Sequence, residues 1–128
     1  MRNIIFRGKT ADEWVYGDLS HEMYHGEVKM FVNGILVEQD TIGQFTGFND
    51  KNKTEIYEDD IIRFYINGKE NIISVRFNNE VGAWCATYKA SKYIGTRPLG
   101  ELLCEYCDME VIGNIHDNPE LFKQKNNE

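Results

Sequence analysis

Apolar and polar residues alternate with a period of two along most of the chain, the pattern of half-buried strands. Ile4, Ile5 and Phe6 lie in a first run over 3–7, and Trp14-Val15-Tyr16 before Gly17 form a second, with a turn over 9–12. A third run over 28–32 meets Asn33-Gly34 and continues as Ile35-Leu36-Val37. An Asn-Gly pair between apolar runs predicts a two-residue hairpin, because both central residues of a type I′ turn need positive φ. The pair recurs as Asn67-Gly68, between runs over 60–66 and 71–77. Asn78-Asn79 and a further run over 83–88 complete an antiparallel meander expected to close or nearly close. Helix is scarce. Residues 98–104 suit about two turns with Pro98 at the first helical position, and Asn118-Pro119 has the grammar of a helix start. A last strand is expected over 109–115 between them.

These elements predict an all-β protein. The polar stretch 49–53 divides an N-terminal β-hairpin region (1–48) from a small antiparallel barrel, SH3-like or related, over 55–122. The barrel ends in a short helix, and a polar, frayed tail follows over 123–128. Apolar residues on both faces of 4–6 and 61–66 imply strands covered on both sides, and the two regions are expected to share one core as one cooperative unit.

Composition narrows the function. The chain has 128 residues, 41% of them hydrophobic and 27% charged, which suits one soluble globular domain. No apolar run reaches the roughly 18 residues of a membrane span or the h-region of a secretory signal. With 14 basic and 21 acidic residues the net charge is −7, which argues against a general nucleic-acid binder. The carboxylates of 55–60 read as a solvated strand edge. Three Cys form no disulfide framework and suit a reducing cytoplasm.

Two patterns could carry chemistry. His21-Glu22-Met23-Tyr24-His25 matches H-E-x-x-H, in which two His on one helical face hold zinc and the Glu acts as base. Gly17 and Gly26 leave barely two helical turns for it, and no third ligand stands out. An exposed polar turn or one-turn helix is the expected form. Cys104-Glu105-Tyr106-Cys107 is a C-x-x-C, placed at the end of the predicted helix where the dipole does not lower a thiol pKa. Cys85 and His116 could complete a Cys₃His set only through folding; half-buried ordinary thiols are expected. Gly43 and Gly47 lack the Lys-Ser/Thr of a phosphate loop and read as close backbone approaches within a strand. No local motif suggests a Ser-His-Asp triad. The aromatic residues sit on strand candidates, as core or subunit interface. No catalytic, cofactor-binding or metal-binding residue is assigned.

Three stretches together resemble one family. They are Ile4-Ile5-Phe6-Arg7 with Trp14-Val15-Tyr16-Gly17-Asp18-Leu19; Thr41-Ile42-Gly43-Gln44-Phe45-Thr46-Gly47 through Glu55-Ile56-Tyr57-Glu58-Asp59-Asp60-Ile61-Ile62; and Glu110-Val111-Ile112-Gly113-Asn114-Ile115-His116-Asp117-Asn118-Pro119-Glu120-Leu121. Their order and spacing resemble the YopX family of phage and prophage proteins. Asp59 departs from the Gly that the family commonly has there, and Lys53-Thr54 from a Gly that often completes the turn. The resemblance implies a mostly β protein of small-barrel character, a homo-oligomer, acting in the cytoplasm of a bacterial host. It supplies no catalytic residue. The leading expectation is a non-enzymatic module that self-assembles and binds a host or phage macromolecule. The alternatives are a nucleic-acid-binding small barrel, and a zinc-dependent hydrolase built on His21, Glu22 and His25.

Overall fold

The computed structural model describes residues 2–88 and 97–122; the tail expected over 123–128 lies outside them. The chain divides into two compact units, Met1–Gly47 and Phe48–Glu128. Each has its own cluster of buried apolar side chains.

The first unit is built from β1 (Phe6–Lys9), β2 (Trp14–Gly17), β3 (Leu19–Tyr24), β4 (Glu27–Val32), β5 (Ile35–Leu36) and β6 (Glu38–Asn49). The last two residues of β6 begin the second unit. Strand β1 lies between β2 and β6, antiparallel to both. Its register on β6 shifts between Arg7 and Lys9. At this irregularity the Thr41 hydroxyl donates to the Glu38 carbonyl at 2.6 Å and accepts the Lys9 N–H at 2.8 Å. Gly8 sits here because a Cβ would meet Val37 Cγ2 at 2.8 Å. Strands β3, β4 and β5 form a separate meander. Both of its loops have two residues with positive φ throughout, His25-Gly26 (49° and 82°) and Asn33-Gly34 (52° and 75°). That is type I′ geometry, whose twist matches the flanking strands. Val15, Val32 and Val37 form the core, with Phe6, Leu19, Met30 and Ile42 packed around them. Ile4, expected in a strand covered on both faces, precedes β1 and is 54% exposed. Gly47 has φ of 89° and open space about its Cβ position, so its conformation, and not a close approach, calls for glycine.

The second unit adds β7 (Glu55–Tyr57), β8 (Asp60–Ile66), β9 (Lys69–Asn78), β10 (Ala83–Tyr88), β11 (Arg97–Pro98), α1 (Leu99–Glu105) and β12 (Glu110–Asn114), then a 3₁₀ turn, Pro119–Leu121. Five strands form one antiparallel sheet in the order β11-β10-β9-β8-β12. Asn67-Gly68 (52° and 78°) makes the expected I′ turn between β8 and β9. Direct cross-strand partners share a face, so Ile62, Ile73, Val75 and Ala86 point to one side together with Phe64. All five are fully buried and cluster with Leu99 and Leu102 of α1. The helix covers this face, which explains a departure from expectation. The described strands form an open sheet and no closed barrel: its apolar side is buried by α1, not by the sheet curling onto itself. Pro98 is the residue before the helix and not its first turn. Arg97 clamps the element from outside, reaching Glu101 at 2.8 Å and Glu105 at 2.7 Å, and holds the Glu105 carboxyl below its ordinary range.

Two positive-φ residues coincide with the departures from the family pattern: Lys53 at 67° and Asp59 at 72°. The turns keep the geometry that Gly would adopt freely, while a side chain in this region costs about 1–2 kcal/mol. Lys53 is exposed, and its N–H donates to the Asp50 carbonyl, a bond glycine retains. Lys53→Gly is therefore expected to stabilise the protein by about 0.5–1 kcal/mol. A urea midpoint that rises at unchanged slope is the expected reading; a fall refutes the strain.

Candidate functional site

The H-E-x-x-H residues do not form a helix. His21, Glu22, Met23 and Tyr24 lie on strand β3, and only His25 is in a turn. His21 faces Met30 across the hairpin and Glu22 faces Lys29. Alternation therefore puts His21 and Glu22 on opposite faces, and the zinc pattern loses the helical spacing it needs. The expected polar turn or one-turn helix is replaced for a local reason: His25-Gly26 is a hairpin turn that pairs Tyr24 with Glu27. The cysteines also stay apart from that chemistry. Cys85 is buried on β10, where burial pushes its thiol pKa up, whereas Cys104 and Cys107 are exposed and not half-buried. Among the described residues no group of three or more His, Cys, Asp or Glu is placed to hold a metal ion.

His116 pairs with a carboxylate that sequence reasoning left aside. Its Nε2 lies 3.2 Å from Asp59 Oδ2, with both side chains largely buried. Asp59 Oδ1 is buried without a hydrogen-bond partner among the described residues; Arg76 Nε is 4.0 Å from it on a side chain 65% exposed. The Asp59 backbone is fixed on both sides, its N–H donating to the Val75 carbonyl at 2.7 Å and its carbonyl accepting the Ile115 N–H at 3.0 Å. The acidic run over 55–60 is thus a solvated edge only in part: Glu55 is exposed, but its last two carboxylates are buried. Asp59 and Asp60 are 7% and 2% exposed, and Asp60 Oδ2 accepts the Tyr57 N–H at 2.7 Å to close the turn before β8.

The other half of the pair is set by a side-chain turn. Asn114 Oδ1 accepts the N–H groups of His116 and Asp117 at 3.0 and 2.9 Å. The Asn114 carbonyl accepts the Asn118 N–H at 2.8 Å. Asn118 does not cap the 3₁₀ turn with its side chain; its Oδ1 reaches back to the Asn114 N–H at 3.3 Å. Gly113 is required beside it, since a Cβ would fall 2.4 Å from that oxygen. Asn and Asp side chains satisfy backbone donors in this way more readily than other residues. The arrangement presents one carboxylate-oriented imidazole, 18% exposed at its side chain. The signal in the sequence was the density of Asn, Asp and Gly over 113–118, readable as a built loop but silent about Asp59.

A second surface lies on the hairpin meander of the first unit. Register places Leu19, His21, Met23, Val28, Met30, Val32 and Ile35 on one face. The face begins in the core at Val32, fully buried, and runs out to Val28 at 45% and Met23 at 65% exposure. Exposed Met and Val in a contiguous stripe are unusual for a surface in water.

Two of three comparisons place the chain among known proteins. The structure of protein EF1440 from Enterococcus faecalis is similar with a TM-score of 0.53 at 18% identity, over 96% of this chain and 100% of that one, a likeness of fold. A search among curated proteins finds no match. The family model described as YopX protein matches residues 6–123, nearly the whole chain, and the chain belongs to the YopX family.

Proposed function

We propose that the chain is a phage- or prophage-encoded, non-enzymatic protein of the bacterial cytoplasm that assembles into a homo-oligomer and binds a host or phage macromolecule. The observation that carries this reading is the apolar face of the β3–β4–β5 meander, which leaves the core and ends in exposed Met23, Val28 and Ile35. Burying one such side chain against another copy is worth about 1.5–3 kcal/mol. The family resemblance supports the same reading through the homo-oligomer it implies. The zinc-hydrolase alternative finds no support in a strand that separates His21 from Glu22. No helix of the described residues is long and apolar enough to cross a membrane.

Native mass spectrometry of untagged protein at micromolar concentration tests the proposal. A multimer is expected, and Met23→Lys with Val28→Lys should dissociate it without unfolding, because a buried unpaired charge is costly. A wild-type monomer overturns the reading. Discrete extra mass from bound strands would favour the nucleic-acid alternative.

A further inference from the structure

We propose that β3 is the edge through which two copies of the chain join, antiparallel about a twofold axis at His21, so that two three-stranded meanders become one six-stranded sheet. This deepens the assembly reading above and rests on it. Strand β3 is the outer member of its sheet, in the order β3-β4-β5, and offers its outer backbone groups to another strand. Natural edges are guarded by Pro, charged side chains (Lys above all), bulges or covering elements, and the one charge on β3 is Glu22. The segment Leu-Ser-His-Glu-Met-Tyr has no Pro and no Lys, and its register on β4 runs from Leu19 to Tyr24 without a shift. Five of its six residues are exposed.

Charge limits the registers in which a second copy can pair. Each chain carries a net charge of −7, so copies repel except across a nearly uncharged contact. The single charge on β3 is Glu22, and its cross-strand neighbour is Lys29. In a joint sheet the two apolar faces must lie on the same side, which allows only pairings that match residues of like face. Centring on His21 sets Leu19 opposite Met23 of the partner subunit and Ser20 opposite Glu22 of the partner subunit. Apolar meets apolar, and a hydroxyl donor meets a carboxylate. Centring on Glu22 sets two carboxylates opposite each other, which is destabilising. Centring on Ser20 carries Met23 and Tyr24 beyond the partner's strand and leaves its most exposed apolar residue unpaired.

Disulfide trapping tests the axis. The exposed thiols are first removed by Cys104→Ser and Cys107→Ser, and His21→Cys or Glu22→Cys is added to that background. Directly opposed residues in an antiparallel pair have Cα atoms about 4.5–5.5 Å apart, within disulfide range, whereas two residues each displaced by one step from the axis are roughly 8 Å apart. Under mild oxidation with glutathione disulfide, His21→Cys should give roughly fivefold more covalent dimer on a non-reducing gel than Glu22→Cys. His21 is exposed, so the variant should retain the wild-type circular dichroism spectrum. If the protein is a multimer by native mass and His21→Cys does not exceed Glu22→Cys, the β3 axis is wrong while assembly stands. If the protein is a monomer, both readings fail.

Discussion

Replacing Phe64 by Ala is expected to remove about 3–5 kcal/mol of stability. Phe64 is fully buried on β8, a strand paired on both sides by β9 and β12. Its ring centroid lies 5.0 Å from that of Tyr106 and 6.4 Å from that of Tyr88. Truncation deletes these ring contacts and leaves a cavity between the sheet and the segment that carries α1, which collapses only partly. Folded domains of this size hold about 5–15 kcal/mol in total, so roughly a fifth or more is lost. Tyr65, the next residue, faces the other way and is 45% exposed. Tyr65→Ala should cost about 1 kcal/mol or less, because surface changes rarely cost more. Urea unfolding of the two variants measures the difference. Equal losses would refute the assignment of faces on β8.

That assignment was readable in advance because its cause is local. Period-two alternation and an Asn-Gly turn fix a hairpin with no knowledge of the rest of the chain, and β8, β9, β10 and the Asn33-Gly34 and Asn67-Gly68 turns follow from it. His25-Gly26 makes the same turn with a residue less often seen at positive φ. The barrel expectation rested on counting strands. What decided the outcome was the packing of a seven-residue helix: the element was expected over 98–104, but nothing local to it shows that Leu99 and Leu102 seal the apolar face of the sheet. The pair of Asp59 and His116 was not legible for a different reason. The two residues are 57 positions apart, and nothing in either segment names the other. Asp59 was visible only as a departure from the family's Gly. The structure shows that this residue keeps the left-handed backbone and adds a carboxylate to it.

The second large effect concerns another carboxylate in a polar turn. Asp50→Ala is expected to cost about 3–5 kcal/mol, nearly as much as the core truncation. Asp50 is 7% exposed and organises three backbone donors. Its Oδ1 accepts the N–H groups of Asn52 at 2.8 Å and Thr54 at 2.9 Å, closing the turn before β7. Its Oδ2 accepts the Val111 N–H at 2.9 Å, at the register shift where β12 leaves regular pairing with β8. The local and distant bonds therefore belong to one side chain, and the turn is tied to the edge strand 61 residues away. Alanine leaves all three donors without this acceptor; the bonds are partly buried, and a donor that water does not reach costs about 1–3 kcal/mol. Asp50→Asn separates geometry from charge. Its one carbonyl oxygen can serve either the turn or Val111 but not both, so a loss of about half the alanine value is expected. Hydrogen exchange reads the same variants residue by residue. Asp50→Ala should expose the Val111 and Thr54 amides together while amides in the Phe64 core keep most of their protection. A turn that exchanges faster while Val111 stays protected would show that Asp50 is not what holds β12 in place.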